Sequence, residues 1–265
     1  MSGGVQEILE QLCAGWEDVV RSKPLMRGLR ERTTYERQAA LILGLSANTF
    51  ETARLVQTLA NSRKLSATTM PLVRAALESA VTAMWVAQVD DAAEALGHEH
   101  SRQEELMFDQ FRSTGDPTWA QLLESMEPPS YSFGPTSSNP QARSFYSRCE
   151  DLEFGSTIYA LYRTLSGWCH PSVRLADQYI VGTKTLETEP GMNFGLLTRA
   201  KPFEDEDTWL FIVAMSALWA SRSFNFLTQD RAHRSALQRA ARELGVPLHL
   251  KALRTPPKKR TRVSG

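Results

Sequence analysis

The residues best suited to chemistry lie in the stretch from Tyr159 to Ser172, which closes an apolar helical pattern with Arg163 and His170. The histidine follows the arginine by seven positions, so at ~100° per residue the two side chains point within about 20° of one another around a helix axis. Pro171 stops the helix and leaves His170 at its C-terminal end, where the helix dipole favours the protonated imidazole. A histidine in this position can act as an acid or a base near neutral pH.

A second pair of charged residues lies far upstream of this stretch. A threonine followed by Pro71 is a typical helix start, because the fixed φ of proline suits the first turn. The helix predicted from there to about Val89 carries Arg74 and Glu78, which are four residues apart and therefore lie on one face.

The types and spacing of these residues resemble a known superfamily. An arginine, six residues and a histidine near the end of a helix are similar to the R-x(4 to 6)-H motif of the HEPN superfamily. A fuller pattern, similar to that of a bacterial HEPN-related family of uncharacterised function, consists of Arg74, Glu78, Tyr162, Leu165, Ser166 and His170. The resemblance spans about residues 35–228, and Thr164 follows the arginine where many HEPN nucleases have Asn, Asp or His.

The HEPN resemblance implies both a fold and an activity. The implied fold is an all-α bundle that forms a homodimer, and the implied activity is endoribonuclease cleavage of RNA without a metal ion or other cofactor. The resemblance assigns the catalytic pair to Arg163 and His170, and it assigns supporting roles to Arg74, Glu78, Tyr162 and Ser166. It also implies a role in phage defence or stress response, with a partner protein or antitoxin as a regulator.

The residue types suit this chemistry but also fit an alternative. Cleavage of RNA by its own 2′-hydroxyl needs a proton acceptor, a proton donor and positive charge near the phosphate. His170 could exchange the proton, and the guanidinium of Arg163 could hold the phosphate. In the alternative, Arg163, Glu78 and His170 form a buried polar network that fixes the register of the helices. The chain would then be a non-catalytic binding or interaction module.

Two other groups of residues give weaker indications. His98 and His100 flank Glu99, but on a helix their imidazoles point ~200° apart, which predicts a solvated face and no metal site. Cys169 is expected to be a packed thiol, because a cysteine and its neighbour His170 in sequence rarely form a nucleophile and base pair.

The last predicted helix carries rows of arginines that could contact RNA phosphates or simply face solvent, namely Arg231, Arg234, Arg239 and Arg242. They belong to a basic segment, because the residues from Asp230 onward include ten Lys or Arg and only two acids, a net charge of +8. The first 229 residues carry −8. This asymmetry indicates either an arm for an anionic partner or a tail that rests on the protein's own acidic body.

The elements that position these residues are predicted to form one domain. Hydrophobic residues make up 42% of the 265 positions and charged residues 23%, which is typical of a globular protein. We expect a single helical domain over residues 1–250, with an N-terminal helical arm at 1–32 and a bundle at 33–250. A basic tail at 251–265 has little apolar pattern and is expected to be disordered.

Helical periodicity recurs along the chain and predicts an all-α fold. We predict helices over about 5–24, 35–63, 71–89, 90–112, 117–127 and 155–170. A further helix is predicted to start at about Asn139, an apolar helix to start near Trp209, and an amphipathic run that includes Leu237 and Leu244 to end at Gly245. The turn-rich segment 128–140 predicts a loop, and β-forming residues between turns predict one short β-hairpin near 179–197. The fold class is therefore a multi-helix bundle.

Cysteine usage and hydropathy bear on the cellular compartment. The chain has three cysteines, Cys13, Cys149 and Cys169. Their odd number and wide spacing do not indicate a disulfide framework, which favours a reducing compartment. The N-terminus lacks the pattern of a signal peptide, and the longest apolar run, from Trp209 to Ala220, is shorter than the ~20 residues of a membrane span. We therefore expect a cytoplasmic protein without a membrane partner, in which this run is a buried helix.

Overall fold

The structure, a computed structural model, describes residues 2–21, 36–119, 133–182, 194–228 and 230–253. The longer helices are α1 (Ser2–Arg21), α2 (Glu36–Asn61), α3 (Met70–Val86), α4 (Ala92–Ser113), α7 (Gly155–Cys169), α9 (Asp207–Thr228) and α10 (Arg231–Leu244). The shorter ones are α5 (Asn139–Ala142), α6 (Phe145–Glu150) and α8 (Val173–Ala176), with 3₁₀ turns at Ala67–Thr69 and Asp177–Tyr179. Strands β1 (Ile180–Gly182) and β2 (Phe194–Leu196) form an antiparallel pair. The predicted all-α fold with one short hairpin is confirmed.

Helices α2, α3 and α9 form the centre of the bundle and pack on one another. Two tryptophans in this centre, Trp85 on α3 and Trp219 on α9, are almost completely buried. Both indole N–H groups have acceptors, since Trp85 donates to Asp151 Oδ2 at 2.8 Å and Trp219 donates to the carbonyl of Pro247 at 3.0 Å. Truncation of a buried tryptophan to alanine typically costs about 3–5 kcal/mol, so these rings contribute strongly to the stability of the bundle.

Helix α9 is the core helix that its apolar sequence predicts. By length and composition alone it could cross a membrane, but 89% of its most apolar window is buried inside the structure. Acidic residues precede it, and Asp205 accepts hydrogen bonds from the backbone N–H of Asp207 and the hydroxyl of Thr208. These contacts satisfy donors at the positive end of the helix dipole.

The N-terminal helix is part of the core. Leu9, Leu12 and Trp16 of α1 are buried, and α1 packs along α9. The ring of Trp16 stacks on Phe50 of α2 with 4.9 Å between centroids. The segment that the sequence assigns to a helical arm therefore packs, over its described residues, against the central helices.

Local signals in the sequence set the ends of several helices. Pro71 lies in the first turn of α3, as predicted. A Cβ atom at Gly155 would overlap the carbonyl oxygen of Cys149, so only glycine lets α7 begin this close to α6. Gly245 has a φ of 68°, the left-handed conformation that ends α10 and that glycine adopts at little cost.

The first three residues of the predicted basic tail, 251–253, are described in the structure. The backbone N–H of Glu153 donates to the carbonyl of Lys251 at 2.8 Å, and the N–H of Leu253 donates to the carbonyl of Asp151 at 2.9 Å. Residues 251–253 are thus paired with the α6–α7 connection, which satisfies their backbone groups. The remainder of the predicted tail, residues 120–127 of the predicted 117–127 helix and residues 128–132 of the predicted loop lie outside the described residues.

Candidate functional site

The candidate site lies where the packed helices α3 and α7 bring together five side chains from distant parts of the sequence. Arg74 is at its centre, and the residues around it are Glu78, Tyr162, Cys169 and His170. His170 is exposed, whereas the side chain of Arg74 is only 22% exposed. The site is therefore a surface patch that combines an accessible imidazole with a partly desolvated guanidinium.

All three nitrogens of the Arg74 guanidinium contact neighbouring side chains. Nη1 lies 3.2 Å from Nε2 of His170, and Nη2 donates to the Tyr162 hydroxyl at 2.5 Å. Nε lies 3.8 Å from a carboxylate oxygen of Glu78, and the guanidinium carbon lies 4.5 Å from the centre of the Tyr162 ring. A guanidinium held in this way has a defined orientation, because its planar fork fixes the positions of its donors.

The contact between Arg74 and His170 has a consequence for the protonation of the imidazole. Arg74 can only donate, so Nε2 of His170 must carry a lone pair and the proton of the neutral ring must be on Nδ1. The lone pair of Nε2 accepts the hydrogen bond from Arg74, so His170 can act as a general base only when Arg74 turns its donor away from this nitrogen.

The end of α7 positions the imidazole. His170 follows the last helical residue and has an extended backbone with a ψ of 151°, which is the conformation that the following proline favours. Its backbone N–H still donates to the carbonyl of Ser166 at 3.2 Å. The hydroxyl of Ser166 donates to the carbonyl of Tyr162 at 2.8 Å, so Ser166 supports the helix and not the reacting groups.

Helix α6 supports the site from behind. The ring of Phe145 packs on Tyr162 with 4.5 Å between centroids, and Arg148 is buried beside it. Burial lowers the pKa of Arg148, and the negative charge of Glu78 opposes that shift. Arg148 donates to the carbonyl of Ala142 at 2.8 Å. Phe145 and Arg148 could not be predicted from the sequence, because a six-residue helix is too short to show periodicity.

The thiol of Cys169 faces Arg74 and does not pair with its neighbour His170. Burial raises the pKa of Cys169, and the charge and hydrogen bond of Arg74 only partly oppose this shift. The group is therefore a protonated thiol at neutral pH and a poor nucleophile. The expectation of a packed thiol agrees with its half-buried position.

Among the described residues, no hydrogen bond joins Arg163 to His170. Arg163 is exposed, and within the part of the chain that is described it forms no hydrogen bond or ion pair. Tyr162 faces α3, and Arg163 is ~100° further around α7, which turns it towards solvent. The arginine that contacts His170 in the structure is Arg74. Thr164, the residue after this arginine, is also exposed, and its hydroxyl donates to the carbonyl of Ala160.

The other groups considered in the sequence have separate partners. His98 contacts Asn139 at 2.9 Å, Glu99 binds Arg102, and His100 lies 3.4 Å from Glu104. Among the described residues, no three His, Cys, Asp or Glu side chains cluster in a way that could hold a metal ion.

The arginine rows of α10 lie at the surface and away from the candidate site. Arg231, Arg234, Arg239 and Arg242 are all exposed. Arg239 lines a cleft of about 980 Å³ between α1 and α10, and Arg242 lines a cleft of about 530 Å³ near the end of α10. A third cleft, of about 620 Å³, lies between α6 and the start of α7 and is lined by Tyr146 and Tyr159.

Comparison with known proteins identifies one family. The model of DUF5677, a family of unknown function, matches residues 39–187, which is more than half of the chain. The match contains Arg74, Glu78, Tyr162 and His170, and it ends before α9 and α10. No curated protein matches the chain, and no solved structure matches it.

Proposed function

We propose that this chain, which belongs to the DUF5677 family of unknown function, is a metal-independent endoribonuclease with its active site at Arg74 and His170. The observation that carries the proposal is the exposed imidazole of His170, whose Nε2 lies 3.2 Å from the guanidinium of Arg74. A proton acceptor beside a fixed positive charge is the combination that cleavage by a 2′-hydroxyl requires.

The proposed reaction begins with the proton of the RNA 2′-hydroxyl, which moves to Nε2 of His170. The 2′ oxygen then forms a bond to phosphorus, and the bond from phosphorus to the 5′ oxygen breaks. The products are a 2′,3′-cyclic phosphate and a free 5′-hydroxyl. For this transfer Arg74 turns its Nη1 donor from Nε2 to the phosphate oxygens, where negative charge develops, and the lone pair of Nε2 is then free to accept the proton.

Tyr162 is the proposed proton donor to the leaving 5′ oxygen. Its hydroxyl accepts from Arg74 Nη2 at 2.5 Å, which leaves its own proton free to donate. The packing of Phe145 and Arg74 on its ring holds this hydroxyl in place. Arg163 has a different proposed role. It is exposed on the same helix, has no partner among the described residues, and binds a phosphate that flanks the cleaved bond.

A row of aromatic rings next to the site supports RNA as the substrate. Tyr159 lies 5.8 Å from Tyr162, and Tyr146 lies 4.8 Å from Tyr159, measured between ring centroids. Tyr146 is 45% exposed. Unpaired bases stack on such rings with about 1–3 kcal/mol per base, so the row can bind the nucleotides beside the cleaved bond.

Several parts of the proposal rest on the HEPN resemblance. They are the homodimer, the role in phage defence or stress response and the regulation by a partner protein or antitoxin. The proposed cytoplasmic location rests on the cysteine usage, the N-terminal sequence and the hydropathy. Sedimentation velocity at micromolar concentration tests the homodimer. A strictly monomeric protein that still cleaves RNA would separate the activity from the dimer.

The proposed activity is tested with the purified His170→Ala protein and a labelled RNA, in the presence of a chelator. We expect cleavage to fall by about 10²- to 10⁴-fold, the usual contribution of a general base, with melting temperature within a degree or two of wild type. The Tyr162→Phe protein tests the proton donor separately. Unchanged cleavage by a folded His170→Ala protein would falsify the assignment.

The second candidate function is a non-catalytic interaction module, and one observation favours it. The guanidinium of Arg74 is already fully engaged by Glu78, Tyr162 and His170, so it joins α3 to α7 without any ligand. Under this alternative the wild-type protein does not cleave RNA, and His170→Ala lowers stability without a change in any activity.

A further inference from the structure

Helix α9 contains a second arginine, Arg222, whose buried guanidinium has N–H groups without an acceptor among the described residues. Arg222 is only 6% exposed, and its Nη1 donates to Asn225 Oδ1 at 2.8 Å. Its Nε is buried without a hydrogen-bond partner, and Nη2 likewise makes no hydrogen bond to the described residues. Nε and Nη2 form one edge of the guanidinium, the two-donor fork that binds a carboxylate or phosphate through two parallel bonds.

The charges around Arg222 do not compensate it. Among the described residues no carboxylate forms an ion pair with Arg222, and the charged group that acts on it most directly is Arg234 of α10, which has the same sign. Burial and then Arg234 lower the pKa of Arg222 to about 10, so the guanidinium is still protonated at neutral pH. A buried cation without a counter-charge is strongly unfavourable, and it persists when another interaction compensates for it.

A third nitrogen group completes the arrangement. The guanidinium of Arg222 lies over the ring of Phe226, 3.9 Å from its centre, and His249 meets the same ring edge-on at 5.8 Å. Nδ1 of His249 is also buried and has no hydrogen-bond partner in the described part of the chain. Phe226 therefore contacts both a guanidinium and an imidazole. The charges of Arg222 and Arg234 both act on His249, where they add to the lowering of its pKa by burial.

We propose that Arg222, Arg234 and His249 form a binding site for a phosphate group. Arg222 supplies the buried two-donor fork, His249 donates through Nδ1–H, and the exposed Arg234 closes the site at the surface. A phosphate suits these groups better than a carboxylate, because it has more acceptor oxygens and carries up to two negative charges against two cations. The site lies outside the matched family region and does not depend on the proposed ribonuclease activity.

The test is thermal unfolding and calorimetric titration of the full-length protein with inorganic phosphate, at constant ionic strength set with chloride. We expect saturable binding and a rise in melting temperature of about 5 °C when phosphate exceeds its Kd a hundredfold. Arg222→Met should abolish both responses. Arg234→Met should raise the Kd by at least about tenfold and leave the fold intact, because its side chain is exposed.

Two further variants, Arg239→Met and Arg222→Lys, serve as controls for the phosphate site. Arg239→Met removes an exposed arginine of the same helix away from Phe226, and it should bind phosphate as the wild type does. Should Arg222→Met fail to fold, Arg222→Lys retains the charge and lacks the two-donor fork, so it should fold and bind much more weakly. Wild-type protein that shows no response specific to phosphate overturns the proposal, as does an equal loss in Arg239→Met.

The source of the phosphate group is decided by a second titration, with a short RNA oligonucleotide that lacks terminal phosphates. Binding of the oligonucleotide that depends on Arg222 and is displaced by inorganic phosphate identifies the RNA backbone as a ligand. Binding of inorganic phosphate alone identifies a free phosphate or phosphate monoester. The site is contradicted if the melting temperature rises with protein concentration but does not change with either ligand. In that case a second copy of the chain would supply the counter-charge.

Discussion

Two arginines in this protein show opposite ways of placing a guanidinium in a folded chain. Arg74, between α3 and α7, has a partner for each of its nitrogens: His170, Tyr162 and Glu78. Arg222, within α9, is more deeply buried, and among the described residues its side chain has one hydrogen bond, to Asn225. The first arginine is held in place by the protein itself, whereas the second is in a site whose interactions are incomplete.

This difference indicates different roles for the two arginines. A guanidinium whose three nitrogens each contact a side chain is held in a defined orientation beside the imidazole and the hydroxyl. A guanidinium with a free two-donor edge and no counter-charge raises the free energy of the unliganded fold and binds an anion to recover it. Removal of each arginine should therefore change stability in opposite directions.

The largest effect is expected from Arg74→Ala. The change removes three contacts and leaves the partly buried Tyr162 and Glu78 without their partner, which should lower the unfolding free energy by about 1–3 kcal/mol. RNA cleavage should also fall, by at least about 10²-fold, because the phosphate loses its cation. Urea unfolding and a cleavage assay on the same preparation measure both effects. An unfolding free energy equal to that of wild type would show that Arg74 contributes nothing to the α3–α7 contact.

The next effect is expected from Arg222→Met in buffer without phosphate, and its sign is opposite. Methionine keeps most of the length of the side chain and removes the uncompensated charge, so the unfolding free energy should rise by about 1 kcal/mol. Urea unfolding measured against wild type in chloride buffer checks the sign. A loss of stability comparable to that of Arg74→Ala would mean that Arg222 is already compensated, and the contrast between the two arginines would disappear.

A smaller effect concerns the thiol beside Arg74. Since burial raises the pKa of Cys169, alkylation of this thiol by iodoacetamide should be slower than that of a free cysteine at pH 8. The rate should increase as the pH rises above 9, when the thiolate forms. Mass spectrometry locates the modified residue, and Cys149, whose pKa burial raises to about 12, should react still more slowly. Rapid alkylation at pH 7 would show that Arg74 has spare charge to stabilise a thiolate.

The smallest effect is expected from Arg163→Ala, the matched control for Arg74→Ala on the neighbouring helix. Arg163 is exposed and has no partner among the described residues, so the unfolding free energy of the Arg163→Ala protein should stay within about 0.5 kcal/mol of the wild-type value. Cleavage should decrease by no more than about tenfold if Arg163 binds only a flanking phosphate. A loss of cleavage equal to that of Arg74→Ala would restore Arg163 to the catalytic pair.

Local patterns in the sequence were sufficient to predict most of the helices. The start of α3 at Pro71, the end of α7 before Pro171 and the end of α10 at Gly245 each depend on one or two neighbouring residues. The position of α9 in the core follows from its apolar residues on every side. These features could be predicted because their physical causes lie within a few residues along the chain.

The partners across helices could not be predicted in the same way. Spacing along α7 indicated that Arg163 would accompany His170, but the packing of α3 against α7 places Arg74, 96 positions away in sequence, on that imidazole. In the same way, composition shows that the C-terminal segment is basic, but only the packed structure shows that Arg222 is buried without an acid beside it. The sequence determined which segments are helical and which faces are apolar. Which charged groups meet was decided by the tertiary structure, because it depends on the rotation and register of each helix, and these follow from the packing of the whole core.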